Sequence, residues 1–102
     1  MKLKRNKADI EFSNMIRERD KWTCRRCHKR HQKGSQGLHA AHIFSRGIKR
    51  TRHDPANALA LCYGCHSWGH RNPLDFHDWV RKEIGPRKYD ALKLRAKRLE
   101  GK

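Results

Sequence analysis

The sequence predicts one small α+β domain, and three observations predict it. Residues 37–44 and 57–62 are short apolar runs separated by a long polar stretch broken at Gly47 and Asp54-Pro55, the pattern of two strands and a connecting loop. Residues 8–20, 72–85 and 86–99 instead repeat apolar side chains at helical spacings. Two Cys-x2-Cys pairs, Cys24/Cys27 and Cys62/Cys65, bracket the first strand and the loop, so a shared ligand would tie the start of the domain to the end of the second strand.

Residues 1–7 read as a basic arm. From Ala8 to about Asp20 no Gly or Pro interrupts a helix whose partly apolar stripe is Ile10, Phe12, Met15, Ile16 and Arg19, with Arg17, Glu18 and Lys21 expected in solvent. Trp22 sits where the chain turns and is expected to anchor the core. The first cysteine pair and a polar loop with turns at Gly34 and Gly37 complete an N-terminal unit, 8–36. The central unit is 37–71. Strand alternation puts Leu38, Ala40, His42 and Phe44 on one face and His39, Ala41 and Ile43 on the other. After the second strand a short helix carries His66 and His70 at i and i+4. In the last unit, 72–102, Asn72-Pro73 is a capping residue followed by proline at the first helical position. Leu74, Phe76, Trp79, Val80 and Ile84 carry its apolar side to Gly85. Pro86 opens a final helix with Tyr89, Leu92, Ala96 and Leu99 inward and Arg87, Lys88, Lys93, Arg95, Lys97 and Arg98 outward.

At 102 residues there is room for one domain. A hydrophobic fraction of 35% and a mean hydropathy of -1.13 make an apolar core thin, and small domains of this kind need a staple. Net charge is +16, from 26 Lys and Arg against 10 Asp and Glu. Such an excess repels itself and points to a polyanion partner. No segment reaches the roughly 18 apolar residues of a spanning helix, which favours nucleic acid over membrane. The opening Met1-Lys2-Leu3-Lys4-Arg5-Asn6-Lys7 is followed by no apolar signal core. The expectation is an intracellular protein with reduced thiols.

That compartment favours a metal over two disulfides for the cysteines. Four thiolates in a tetrahedral array suit Zn²⁺ and leave no open position, so the site is read as structural; an iron–sulfur cluster is the other rival. His66 and His70 abut this fixed turn and face a strand bearing His42. Arg46, Lys49, Arg50 and Arg52 populate the intervening loop and are expected to contact phosphates.

Together these residues resemble the HNH endonucleases, the ββα-metal nucleases. The family pattern is a base histidine on a strand, an asparagine before the second strand, and a histidine directly after Leu-Cys-x2-Cys. His42, Asn57 and His66 hold those places, and Trp22-Thr23-Cys24-x2-Cys27 matches the four-cysteine subgroup. The match spans roughly residues 10–70, and the tail helices resemble those of small phage-type members, nicking enzymes among them. The resemblance implies that His42 is the general base for hydrolysis of a DNA phosphodiester. His66 would bind one catalytic divalent cation, Mg²⁺ or Mn²⁺ with Zn²⁺ or Ni²⁺ as substitutes, and His70 would be a second ligand. Asn57 would hold the loop that aims His42. The expected partner is duplex DNA, cut one strand at a time by a monomer, or on both by a homodimer. One position departs from the pattern: many members carry a metal-binding Asp or His just before the base, where this chain has Ala41. His39, about 6.6 Å back along the same strand face, is the candidate substitute. The alternative is a zinc-stabilised DNA- or RNA-binding module without catalysis.

Overall fold

A computed structural model describes residues 6–97. The α+β expectation holds: among these residues four helices surround one two-stranded antiparallel sheet. In chain order they are α1 (Lys7–Arg19), β1 (Leu38–His42), β2 (Ala58–Cys62), α2 (Tyr63–Arg71), α3 (Pro73–Ile84) and α4 (Pro86–Lys97). Most of the basic arm, together with Arg98 and Leu99, falls outside the described residues. None of the described helices is long and apolar enough to cross a membrane.

Helix α1 opens on a capping box. The Asn6 side chain accepts from the Asp9 N–H, and the Asp9 carboxylate accepts from the Asn6 N–H. Its buried face is Asp9, Phe12, Ser13 and Ile16, which keeps Phe12 and Ile16 of the predicted stripe and leaves out Ile10 and Met15, 49% and 41% exposed. At about 100° per residue these two lie about 110° to either side of that face. Arg17, expected in solvent, is half-buried instead. The chain then turns through Lys21 and Trp22, both with positive φ. Trp22 is buried in the core as expected.

Strand β1 pairs β2 in the register Leu38↔Cys62 to His42↔Ala58. Ala40 and Ala58 pack against Phe12 and Ile16 of α1, and methyl side chains there let the helix lie close on the sheet. Leu38, Ala41, Ile43, Leu59 and Leu61 join the larger core with Trp22, Phe76, Val80, Tyr89 and Leu92. Helix α2 leaves β2 directly, with the Cys62 thiol accepting the Cys65 N–H at 3.4 Å as its N-cap. Gly69 is buried against α3; a Cβ there would stand 2.9 Å from Phe76 Cδ1.

Proline opens both C-terminal helices as predicted. Asn72, however, does not cap α3 with its side chain. Its Nδ2 donates to the Trp68 carbonyl at 2.9 Å and closes α2 instead; Asn72 is the single residue between the two helices. Leu74, expected inward, is 85% exposed. Gly85 takes φ +97 between α3 and α4, a value that L side chains resist. Tyr89 then returns to α3 and meets His77 Nδ1 at 2.9 Å.

Candidate metal centre and histidine cleft

The four cysteines converge. All are free, and their sulfurs lie within 4.8 Å of one another. Four sulfurs about 2.3 Å from one Zn²⁺ stand about 3.8 Å apart, and Cys27 Sγ and Cys62 Sγ are 3.7 Å apart. That separation fits a single tetrahedral ion and is far from a disulfide of about 2.05 Å. The Cys27 N–H points at Cys24 Sγ (3.5 Å) as the Cys65 N–H does at Cys62 Sγ, so each pair forms the same tight turn around its first sulfur. Arg26 lies 3.6 Å over the Trp68 ring and reaches Cys65 Sγ at 3.5 Å. Without a cation the thiols are unequal. Burial opposes ionisation of Cys24, but backbone N–H groups from Cys27, Cys62 and Arg26 outweigh it and lower its pKa to about 7. Burial and the neighbouring sulfurs push Cys65 up to about 12. These residues can hold a structural metal such as zinc.

Beside this centre lies a cleft of about 590 Å³. His39 and His42 from β1, His66 and His70 from α2, and Arg46 from the loop all line it. Alternation along β1 puts His39 and His42 on opposite faces, yet both reach this cleft. Helix α1 contributes Asp9, Phe12, Ser13 and Arg17.

His66 is the centre of the histidine group. Its Nε2 is 3.1 Å from His70 Nε2, and its Nδ1 is 2.8 Å from His39 Nδ1. Two imidazole nitrogens about 2.0–2.1 Å from one cation stand about 3.0–3.4 Å apart, so His66 and His70 have a suitable bite. Burial is the main cause that lowers the His66 pKa to about 4, with the His70, His39 and His42 rings adding to it. A neutral ring keeps a lone pair for a metal.

His42 is held differently. Its Nε2 is 2.8 Å from the Arg52 carbonyl. A carbonyl only accepts, so Nε2 carries the proton and the lone pair is on Nδ1. Burial outweighs this hydrogen bond and moves the His42 pKa below the usual histidine value. The ring packs 5.6 Å from Phe12.

Asn57 does not line the cleft; it is buried behind the loop. Its Oδ1 accepts the Phe44 N–H at 2.8 Å, and its Nδ2 donates to the Phe44 and Thr51 carbonyls at 3.1 and 3.0 Å. Thr51 precedes the residue whose carbonyl holds His42. One side chain thus fixes both ends of the loop and, one peptide on, the partner of His42.

Asp9 escaped the sequence reading. It accepts from Arg52 Nε at 2.9 Å, from His53 Nε2 at 2.7 Å and from Arg46 Nη2 at 3.4 Å. The bond to Arg52, foremost, holds its carboxyl far below the usual carboxylate range. Two of the four loop cations expected on phosphate are therefore also committed to a buried carboxylate. Lys49 and Arg50 are exposed. The sole sequence signal for Asp9 was Asn6-x2-Asp9, which reads as a cap and says nothing of a loop far along the chain. Compared with known protein families, curated proteins and solved structures, the chain matches none.

Proposed function

We propose that the chain is a metal-dependent endonuclease of the HNH type, hydrolysing phosphodiester bonds of DNA. The observation that carries this reading is the His42–Arg52 hydrogen bond: it leaves a neutral imidazole with its lone pair on Nδ1 in the same cleft as the His66–His70 pair. A binding module has no need of a histidine held in one tautomer. His42 Nδ1 takes a proton from water as its oxygen attacks phosphorus in line. The new P–O bond forms as the P–O3′ bond breaks, leaving a 5′-phosphate and a 3′-oxygen that takes its proton from solvent. A divalent cation held by His66 and His70 would stabilise charge on the phosphate and on the departing 3′-oxygen. Asn57 keeps the loop in place so that His42 neither turns nor changes tautomer. The +16 charge draws the duplex in and makes binding salt-dependent.

A second reading has its own support. Ala41 is 1% exposed and packed in the core, so the position that ligates metal in many HNH proteins offers a methyl group turned away from the cleft. A zinc-stabilised nucleic-acid-binding module is the alternative. Supercoiled plasmid with Mg²⁺ or Mn²⁺ separates the two. Conversion to open circles that is lost in His42→Ala, with DNA binding retained, supports cleavage. Tight binding without conversion under either metal supports the binding module.

A further inference from the structure

The 2.8 Å approach of His39 to His66 has no place in the mechanism so far. Two ring nitrogens at that distance, with no cation between them, cannot both present lone pairs; a proton lies between them. A neutral His66 has only one N–H to give. With the proton on Nδ1, Nε2 is free on the side of His70. With the proton on Nε2, that N–H points at His70 Nε2, and the single lone pair of His66, on Nδ1, is taken up by His39. The ring of His39 decides between these states. Only the first state leaves a lone pair of His66 for a cation beside His70, and it makes His39 Nδ1 the acceptor of the His66 Nδ1–H. In that state a neutral His39 carries its own proton on Nε2 and accepts on Nδ1.

We propose that His39 is a positioning residue that fixes His66 as the Nδ1–H tautomer and so presents the Nε2 lone pair of His66 alongside that of His70. The relay runs from His39 Nδ1 through the His66 ring to its Nε2, from acceptor to ligand atom. Ligating histidines commonly donate their second N–H to such an acceptor, usually a carboxylate or a carbonyl. Here a third imidazole fills that place, and His39 acts one step behind the cation instead of replacing the ligand absent at Ala41. The inference rests on the cation reading above, but the tautomer can be read without any cation.

The test has two parts. Long-range ¹H–¹⁵N spectra of the zinc-loaded protein report which nitrogen of His66 is protonated. The expected result is Nδ1–H in wild type and in His39→Asp, which keeps an acceptor, and loss of that preference in His39→Ala. Mn²⁺ is then titrated into protein saturated with a short duplex, in the His42→Ala background so that the DNA stays intact. His39→Ala is expected to bind Mn²⁺ about 10–100-fold more weakly, with unchanged thermal unfolding and with affinity regained in His39→Asp. A wild-type His66 protonated at Nε2, or a His39→Ala variant with undiminished Mn²⁺ affinity, overturns the proposal. A wild type with Nδ1–H at His66 but no Mn²⁺ binding upholds the tautomer assignment and overturns the cation reading instead.

Discussion

Replacing Asn57 by Ala tests how the loop behind the cleft is held. The substitution removes three hydrogen bonds made by a side chain with no exposed surface. The Thr51 carbonyl keeps a partner in the Asp54 N–H at 3.2 Å. The Phe44 N–H and carbonyl lose the partners that Asn57 supplied. Each buried group left unsatisfied costs about 1–3 kcal/mol, which puts the loss at about 2–6 kcal/mol. Because Phe44 is itself only half-buried, water reaches part of the gap and the lower half of that range is expected. In urea, with a slope of about 1–3 kcal/mol/M, a loss of 3 kcal/mol moves the midpoint down by about 1–3 M, measured at fixed free Zn²⁺. Asn57→Asp sharpens the test. Its carboxylate can still accept from Phe44 but faces two carbonyl oxygens. Burial raises the pKa of the new acid above its unfolded value, so its folded state is favoured at acid pH and loses stability as pH rises through the raised value. Compared with wild type at the same pH, Asn57→Asp should therefore be weakest at pH 7 and close the gap towards pH 4. An Asn57→Ala midpoint within experimental error of wild type would refute the assigned role of this side chain.

Other consequences follow from the same packing. Gly69→Ala forces a methyl to within 2.9 Å of the Phe76 ring and should destabilise by about 1–3 kcal/mol in the same urea assay. Chelation of a metal held by the four cysteines should unfold the domain, since structural zinc supplies on the order of 10 kcal/mol against a total stability of about 5–15 kcal/mol; far-UV circular dichroism reads this. Zn²⁺ must displace protons from thiols as different as Cys24, at about 7, and Cys65, at about 12, so its apparent affinity should fall steadily as pH falls, and a flat dependence would contradict thiolate ligation. The depressed Asp9 carboxyl contributes stability that is present above the ordinary carboxylate pKa and lost as pH falls through its folded value. Asp9→Asn should lower the thermal midpoint at pH 7 and shrink the difference from wild type as the solution is acidified.

The parts of this molecule that were legible in the sequence are those set by spacing along the chain. Two residues between cysteines define a turn that aims two sulfurs at one point, and that geometry needs no knowledge of what lies elsewhere. Proline after Asn72 and after Gly85 marked two helix starts because its ring fixes φ and needs no N–H partner. What escaped was set by facing surfaces. The polar residues Asp9 and Ser13 and the cation Arg17 turn inward on α1 because loop 45–54 and the cleft lie opposite them. Ile10 and Met15 are exposed for the same reason, and periodicity alone cannot tell an apolar face from the face that meets a polar neighbour. His39 was legible as a nearby histidine but not as the partner of a particular nitrogen. Strand alternation put it on the face away from His42, and only the position of α2 brings its Nδ1 to His66.

The central claim is that His42 removes a proton from the water that attacks DNA. Its most direct test is the single-turnover cleavage rate of zinc-loaded wild type and His42→Ala on the same duplex, with DNA affinity measured in parallel. The account predicts a rate lower by about 10²–10⁴-fold in the variant at unchanged affinity. Equal rates, or no cleavage by wild type with Mg²⁺ or Mn²⁺ at full occupancy, would contradict it.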